Sequence, residues 1–156
     1  MSLFAQSANG SLIDERELCM SKNLELFNQQ TAEIFALLWD NFPVPQMITY
    51  EQLCPPNINE LSDLRSVIDG TFRFLGQNGY IQFEHDEATF FHSKSGFNDV
   101  CLTEKALIAL NKKPEALGGT ETMGDKIISA VKDGTPGVIA SAVTNLLTLG
   151  VNLVTG

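Results

Sequence analysis

LRSVIDGTFRFLGQNGYIQF, residues 64–83, is the stretch that decides the fold. Leu64, Ile68, Phe72 and Leu75 recur at helical spacing, and Leu61 just upstream extends the same arc, so one face of this helix is expected to be buried. The expected helix opens near Glu60, with Asn57 or Asn59 as its cap. Gly70 interrupts it at a cost of about 1 kcal/mol relative to alanine, which implies close packing or a slight bend. Asn78-Gly79 supplies the left-handed conformation that ends a helix. The period then changes: Tyr80 to Phe83 is short, aromatic and β-prone.

Downstream, Glu84-His85-Asp86-Glu87-Ala88 suits a hairpin turn and Thr89 to Phe91 a returning strand. Ser93-Lys94-Ser95-Gly96 reads as a further loop, and Val100-Cys101-Leu102 as the end of the β element. Thr103 caps a helix carrying Ala106, Leu107 and Leu110, with Pro114 just beyond it. Upstream, Leu24, Phe27, Ile34, Phe35, Leu38 and Phe42 mark a helix flanked by Trp39 and stopped by Pro43 and Pro45. Thr49 to Leu53 has room for one or two helical turns before Cys54-Pro55-Pro56. Ser11-Leu12-Ile13-Asp14 has the form of a capping box, which predicts a separate short helix over Leu12 to Ser21.

Short helix, longer helix, hairpin, helix is the element order of a winged helix-turn-helix. "LRSVIDGTFRFLGQNGYIQF" followed by "VCLTEKALIAL" resembles the recognition helix, wing and closing helix of bacterial winged helix-turn-helix proteins over about residues 24–110. The resemblance implies a mainly α (α+β) fold, a winged helix-turn-helix with a short β-hairpin wing and added N- and C-terminal helices. The expected organisation is a tail or short helix over residues 1–23, a winged-helix domain over 24–114, and a linker with an apolar helical extension over 115–156. The resemblance also implies DNA binding by the third helix, with Ser62, Asp63, Ser66, Asp69, Arg73 and Gln77 facing outward and Lys94 on the wing.

Charge opposes that role. Nineteen acidic residues against ten basic ones give the chain a net charge of −9, which phosphate backbones and anionic lipid repel unless the cations gather on one face. Residues 24–114 hold six basic and twelve acidic side chains, a net of −6. Arg65 and Arg73 each stand four residues from Asp69, where both can pair with it, and Glu84, Asp86 and Glu87 occupy the tip of the expected wing. The face formed by Ser62, Ser66, Asp69, Arg73, Gln77 and Lys94 is therefore expected to meet protein. The alternative is a DNA-binding transcriptional regulator using Arg73, Gln77, Ser66 and Lys94.

Residues 134–156 contain no charged side chain. Asp125 to Asp133 reads as an amphipathic helix after a linker over Pro114 to Gly124. Gly134-Thr135-Pro136-Gly137 then restarts the chain in a new helix. Along Val138 to Val154, Ser141, Thr144, Asn145, Thr148 and Asn152 form one polar stripe within an aliphatic surface. Three readings stand open: packing inside the same chain, self-association as a homo-oligomer, and peripheral membrane contact. Self-association would use Ile139, Val143, Leu146, Leu147, Leu149 and Leu153. The run is short for a transmembrane span and lacks flanking anchors.

No motif names a reaction. Three widely spaced cysteines, Cys19, Cys54 and Cys101, argue against a disulfide framework or zinc pairs and suit reduced thiols in a cytoplasmic protein. The N-terminus lacks the basic start and apolar run of a secretory signal. His85 and His92 beside Asp86 and Glu87 suggest a metal cluster, but without ligand spacing they read as exposed wing histidines. Phe90, Phe91 and Phe97, with Tyr80 and Phe83, suit strands packed on a core better than a base-stacking platform, because basic neighbours are missing. Gly118-Gly119 is not followed by the lysine of a phosphate loop. No cofactor, metal or catalytic residue is expected.

Overall fold

The computed structural model describes residues 15–54, 61–84, 96–114 and 119–155, with side chains for 22–54, 64–84, 96–114 and 119–153. Five helices and a three-stranded antiparallel sheet lie within them. Helix α1 (Glu15–Asn41) leads to strand β1 (Gln46–Thr49), then α2 (Leu61–Gln77), β2 (Ile81–Glu84) and β3 (Gly96–Leu102). Helices α3 (Glu104–Asn111), α4 (Met123–Asp133) and α5 (Pro136–Thr155) complete the order. The sheet order is β1-β3-β2, so the last strand lies in the middle. This is a mainly helical α+β fold.

The helix boundaries follow local chemistry. Helix α2 buries Leu64, Ile68, Phe72 and Leu75, as its spacing predicts. It ends where Gly79 turns left-handed (φ 78°). There the Tyr80 amide donates to Leu75 O (2.8 Å) and the Gly79 amide to Gly76 O (3.1 Å), a Schellman closure. Thr103 caps α3 by accepting from the Ala106 amide, and Thr122 caps α4 by accepting from Asp125. Gly134, left-handed at φ 75°, closes α4, and Pro136 opens α5.

Four expectations need correction. The N-terminal segment forms one helix across residues 15–41 instead of two, because nothing between residues 20 and 24 breaks it. Its expected capping box lies outside the described residues. Thr49 does cap, with its hydroxyl accepting from the Gln52 amide (3.3 Å) and Gln52 Oε1 accepting from the Thr49 amide (2.8 Å). It caps a single turn, however, and Gln46–Thr49 before it is a strand. Sequence periodicity does not signal that strand, because a four-residue edge strand buries only Ile48 and shows no alternation. Gly70, expected to mark close packing or a slight bend, is exposed, with nothing within 4 Å of where a Cβ would stand, so close packing is not its role.

The fourth correction concerns Gly96, expected in a loop. It begins β3, and a Cβ there would sit 2.3 Å from Ile48 O, so the β1–β3 approach requires glycine. The expected turn over residues 85–88, the return strand over Thr89 to Phe91, Lys94 and both histidines lie outside the described residues. Strand β2 pairs with β3 through Ile81↔Leu102 and Gln82↔Cys101. Both neighbours of β3 shift register by one residue around Asp99, whose φ of 50° marks a bulge in the central strand.

The C-terminal helices close the same core. Ile139, Ala142, Val143 and Leu146 of α5 are buried with residues of α1, α2 and the sheet. Helix α4 contributes Met123, Ile127 and Ala130, so its packing begins at Thr122–Met123, inside the segment expected to be linker. Gly124 lets Trp39 of α1 lie against the start of α4, since a Cβ there would meet the indole at 2.3 Å. Gly150 plays the same part for α5, where a Cβ would meet the Tyr80 hydroxyl at 2.4 Å. Ser141, Thr144, Thr148 and Asn152 face solvent, so the polar stripe points out while the opposite aliphatic face points in.

Two glycines in helices should therefore respond oppositely to substitution. Gly70→Ala should raise unfolding free energy by about 0.5–1 kcal/mol, since only helix propensity changes. Gly150→Val should lower it by about 2 kcal/mol by overpacking Tyr80. Urea denaturation checks both, and equal signs would contradict this packing.

Candidate functional site

The residues that α2 presents outward meet β2 across a groove of about 670 Å³. One wall is the helical stripe Asp69, Arg73 and Gln77, spaced four residues apart and so stacked on one face. The other wall is β2, from Ile81 to Phe83, and Phe97 of β3 closes the floor. Gly76 keeps the floor low, because its missing side chain leaves the Phe83 ring 3.0 Å from where a Cβ would stand.

Aromatic packing fixes this groove. Phe72 and Phe97 stack with centroids 3.7 Å apart and planes 9° from parallel. Phe83 meets both rings edge-on, at 5.4 Å from Phe72 and 5.3 Å from Phe97. Tyr50 adds a further edge-on contact to Phe97 at 5.6 Å. Phe83 and Phe97 thus belong to the packed sheet, and Tyr80 is buried. Phe90 and Phe91 lie outside the described residues.

The electrostatics centre on Asp69. Its carboxylate accepts a hydrogen bond from the Tyr50 hydroxyl, and the Arg65 guanidinium lies 4.5 Å from the centre of the Tyr50 ring. Burial, then the hydrogen bond to Asp69, pushes the Tyr50 hydroxyl well above the usual tyrosine range. This corrects the expected pairing of Arg73 with Asp69. Arg73 forms no ion pair among the described residues, and it stands exposed beside Gln77. The cause is the nineteen-residue jump from Tyr50 to Asp69, which sequence spacing does not display.

Of the other expected interaction residues, Ser66 is exposed on α2, while the Ser62 and Asp63 side chains and Lys94 lie outside what is described. The structure therefore gathers Asp69, Arg73 and Gln77 in one groove. The six residues of the expected association helix divide. Ile139, Val143 and Leu146 are at most 5% exposed inside their own chain, and Leu147, Leu149 and Leu153 are half-buried against the core. Cys54 and Cys101 are half-buried free thiols. Among the described residues, no three His, Cys, Asp or Glu side chains converge as metal ligands.

A second recess, of about 430 Å³, lies between α1, β1 and α4 and was not foreseen. Its only sequence signal is Glu33 and Asp40, seven residues apart on α1. By length and composition α5 is apolar enough to cross a membrane; Ile139, Val143 and Leu146 face the protein interior, while Val138 and Val151 are exposed. No protein-family model, curated protein or solved structure matches the chain.

The Tyr50–Asp69 bond has a pH signature. The folded pKa of Tyr50 lies above the unfolded value of about 10, so as pH rises the unfolded chain releases that proton first. The stabilisation is complete at neutral pH and is lost above pH about 10. Tyr50→Phe should cost on the order of 1 kcal/mol at neutral pH. It should also make the loss of stability between about pH 10 and 12 shallower. Urea denaturation at both pH values checks this, and identical slopes in the two proteins would contradict it.

Proposed function

We propose that the chain is a non-enzymatic winged-helix module that engages a protein partner through the α2–β2 groove and does not read duplex DNA. Support for the winged-helix reading comes from the helix leading through a tight turn into β2 and from the β1-β3-β2 order. The first is the arrangement the sequence resemblance implies, and the second adds an edge strand to the expected hairpin. The carrying observation is the charge of the outward stripe, where Asp69 stands in line with Arg73 and Gln77. A helix laid in the major groove needs cations for phosphates and donors for bases. On this stripe the one arginine is matched by a carboxylate, and β2 ends in exposed Glu84.

The proposal narrows the reading made from sequence in one respect. Self-association through α5 was expected to use six aliphatic residues, of which three are enclosed in the core. Among the described residues the large aliphatics exposed on α5 are Val138 and Val151, too little apolar surface to carry an obligate dimer on their own. The partner contact is therefore assigned to the groove, where Arg73, Gln77 and exposed Gln82 are free to orient a ligand around a hydrophobic floor.

DNA binding keeps one observation in its favour, the exposed Arg73 without an ion pair among the described residues. The two readings separate in a titration of random duplex DNA at low salt, followed by added salt. The expected result is no measurable association. Affinity that falls steeply with salt and disappears in Arg73→Ala would overturn the proposal in favour of a DNA-binding regulator.

A further inference from the structure

The recess between α1, β1 and α4 shares no lining residue with the α2–β2 groove. Its floor is apolar, formed by Leu37, Leu53 and Val131, and two carboxylates, Glu33 and Asp40, stand along its α1 side. Neither carboxylate forms an ion pair among the described residues. Burial pushes the Glu33 carboxyl above the usual carboxylate range, partly offset by a hydrogen bond from Gln29. A half-buried anion beside aliphatic side chains, with no ion-pair partner among the described residues, is a poor arrangement for an isolated chain.

We propose that this recess docks a cationic amphipathic helix of a separate protein, with lysine or arginine against Glu33 and Asp40 and aliphatic side chains on the floor between them. Spacing and charge both lead there. Glu33 and Asp40 lie two helical turns apart, roughly 10 Å along α1. Cations at positions i and i+7 of a helix laid along α1 repeat that distance, and residues at i+3 and i+4 between them face the apolar floor. A net charge of −9 draws such a partner in. Among the described helices, α3 with its C-cap carries Lys105 and Lys112 seven residues apart with Ile108 and Ala109 between them. Ala109 is buried, however, and Lys105 is held over Tyr80 and bonded to Asn78 O, so that face is not offered as the occupant. Lys132 at the α4 rim also forms no ion pair among the described residues. It disfavours a third cation on the α4 side of the recess.

The probe is a synthetic amphipathic helix of leucine and lysine, with a leucine–glutamate counterpart of the same pattern, titrated against the full chain by fluorescence anisotropy. The leucine–lysine helix should bind, and Glu33→Gln with Asp40→Asn should weaken it by about tenfold or more. Glu25→Gln with Glu84→Gln removes the same charge from exposed positions elsewhere and should weaken it by less than about twofold. Asp40→Lys, at an exposed position that folding tolerates, should also abolish binding of the lysine peptide. Arg73→Ala should leave it unchanged, so failure here is separable from failure of the α2–β2 groove. No binding, or equal weakening by the two neutralised pairs, would overturn the proposal and leave only attraction to a negative surface.

Discussion

The ring, hydroxyl and backbone of Tyr80 each hold a different part of the molecule, and the architecture depends on their doing so together. Its amide closes α2 by bonding Leu75 O, and its carbonyl accepts from the Thr103 amide at 3.1 Å where β3 passes into α3. The Thr103 hydroxyl reinforces that junction, donating to the carbonyls of Gly79 and Tyr80. The Tyr80 ring meets Phe35 of α1 edge-on at 6.1 Å, and Lys105 of α3 sits over it at 4.3 Å. Its hydroxyl then reaches α5, donating to Leu147 O at 3.0 Å while Gly150 leaves space for the ring. Burial raises that hydroxyl above the ordinary tyrosine range, so it stays a donor into alkaline conditions where an exposed tyrosine ionises.

From that corner the two recesses acquire their shapes. Fixing the end of α2 against the start of β2 sets the width of the groove that holds Asp69, Arg73 and Gln77. The Phe72–Phe97 stack then prevents the sheet from sliding along the helix. On the other side, Gln30 reaches from α1 to Leu53 O at 2.8 Å and pins the single turn after β1. Trp39 against Gly124 pins α4. The recess between them is a consequence of those two fixtures, and the acidic side of its rim is the α1 pair Glu33 and Asp40.

Much of this was legible from local patterns. The α2 face, the glycine that ends it, the caps at Thr49 and Thr103 and the start of α5 at Pro136 are short-range signals written within a few residues of where they act. What escaped was long-range or too short. Strand β1 has four residues and one buried side chain, so its strand character comes from pairing with β3, about a third of the chain away. The bulge at Asp99 is set by two neighbours at once. The Tyr50–Asp69 bond and the α1–α4 recess exist only after folding, and helical spacing instead suggested that Arg65 and Arg73 could both pair with Asp69. The polar stripe of α5 was visible, but only its placement against Tyr80 shows which face turns inward.

The central claim is that α5 belongs to the same cooperative core as the helix–hairpin unit, held there through Tyr80, and is not an appendage. Native-state amide hydrogen exchange tests this most directly. Amides of Leu146 to Gly150 should exchange with the same free energy and denaturant dependence as those in the middle of α2 and β3. If α5 opens at a markedly lower free energy while α2 and β3 stay protected, the C-terminal helix is a separable extension and the account fails.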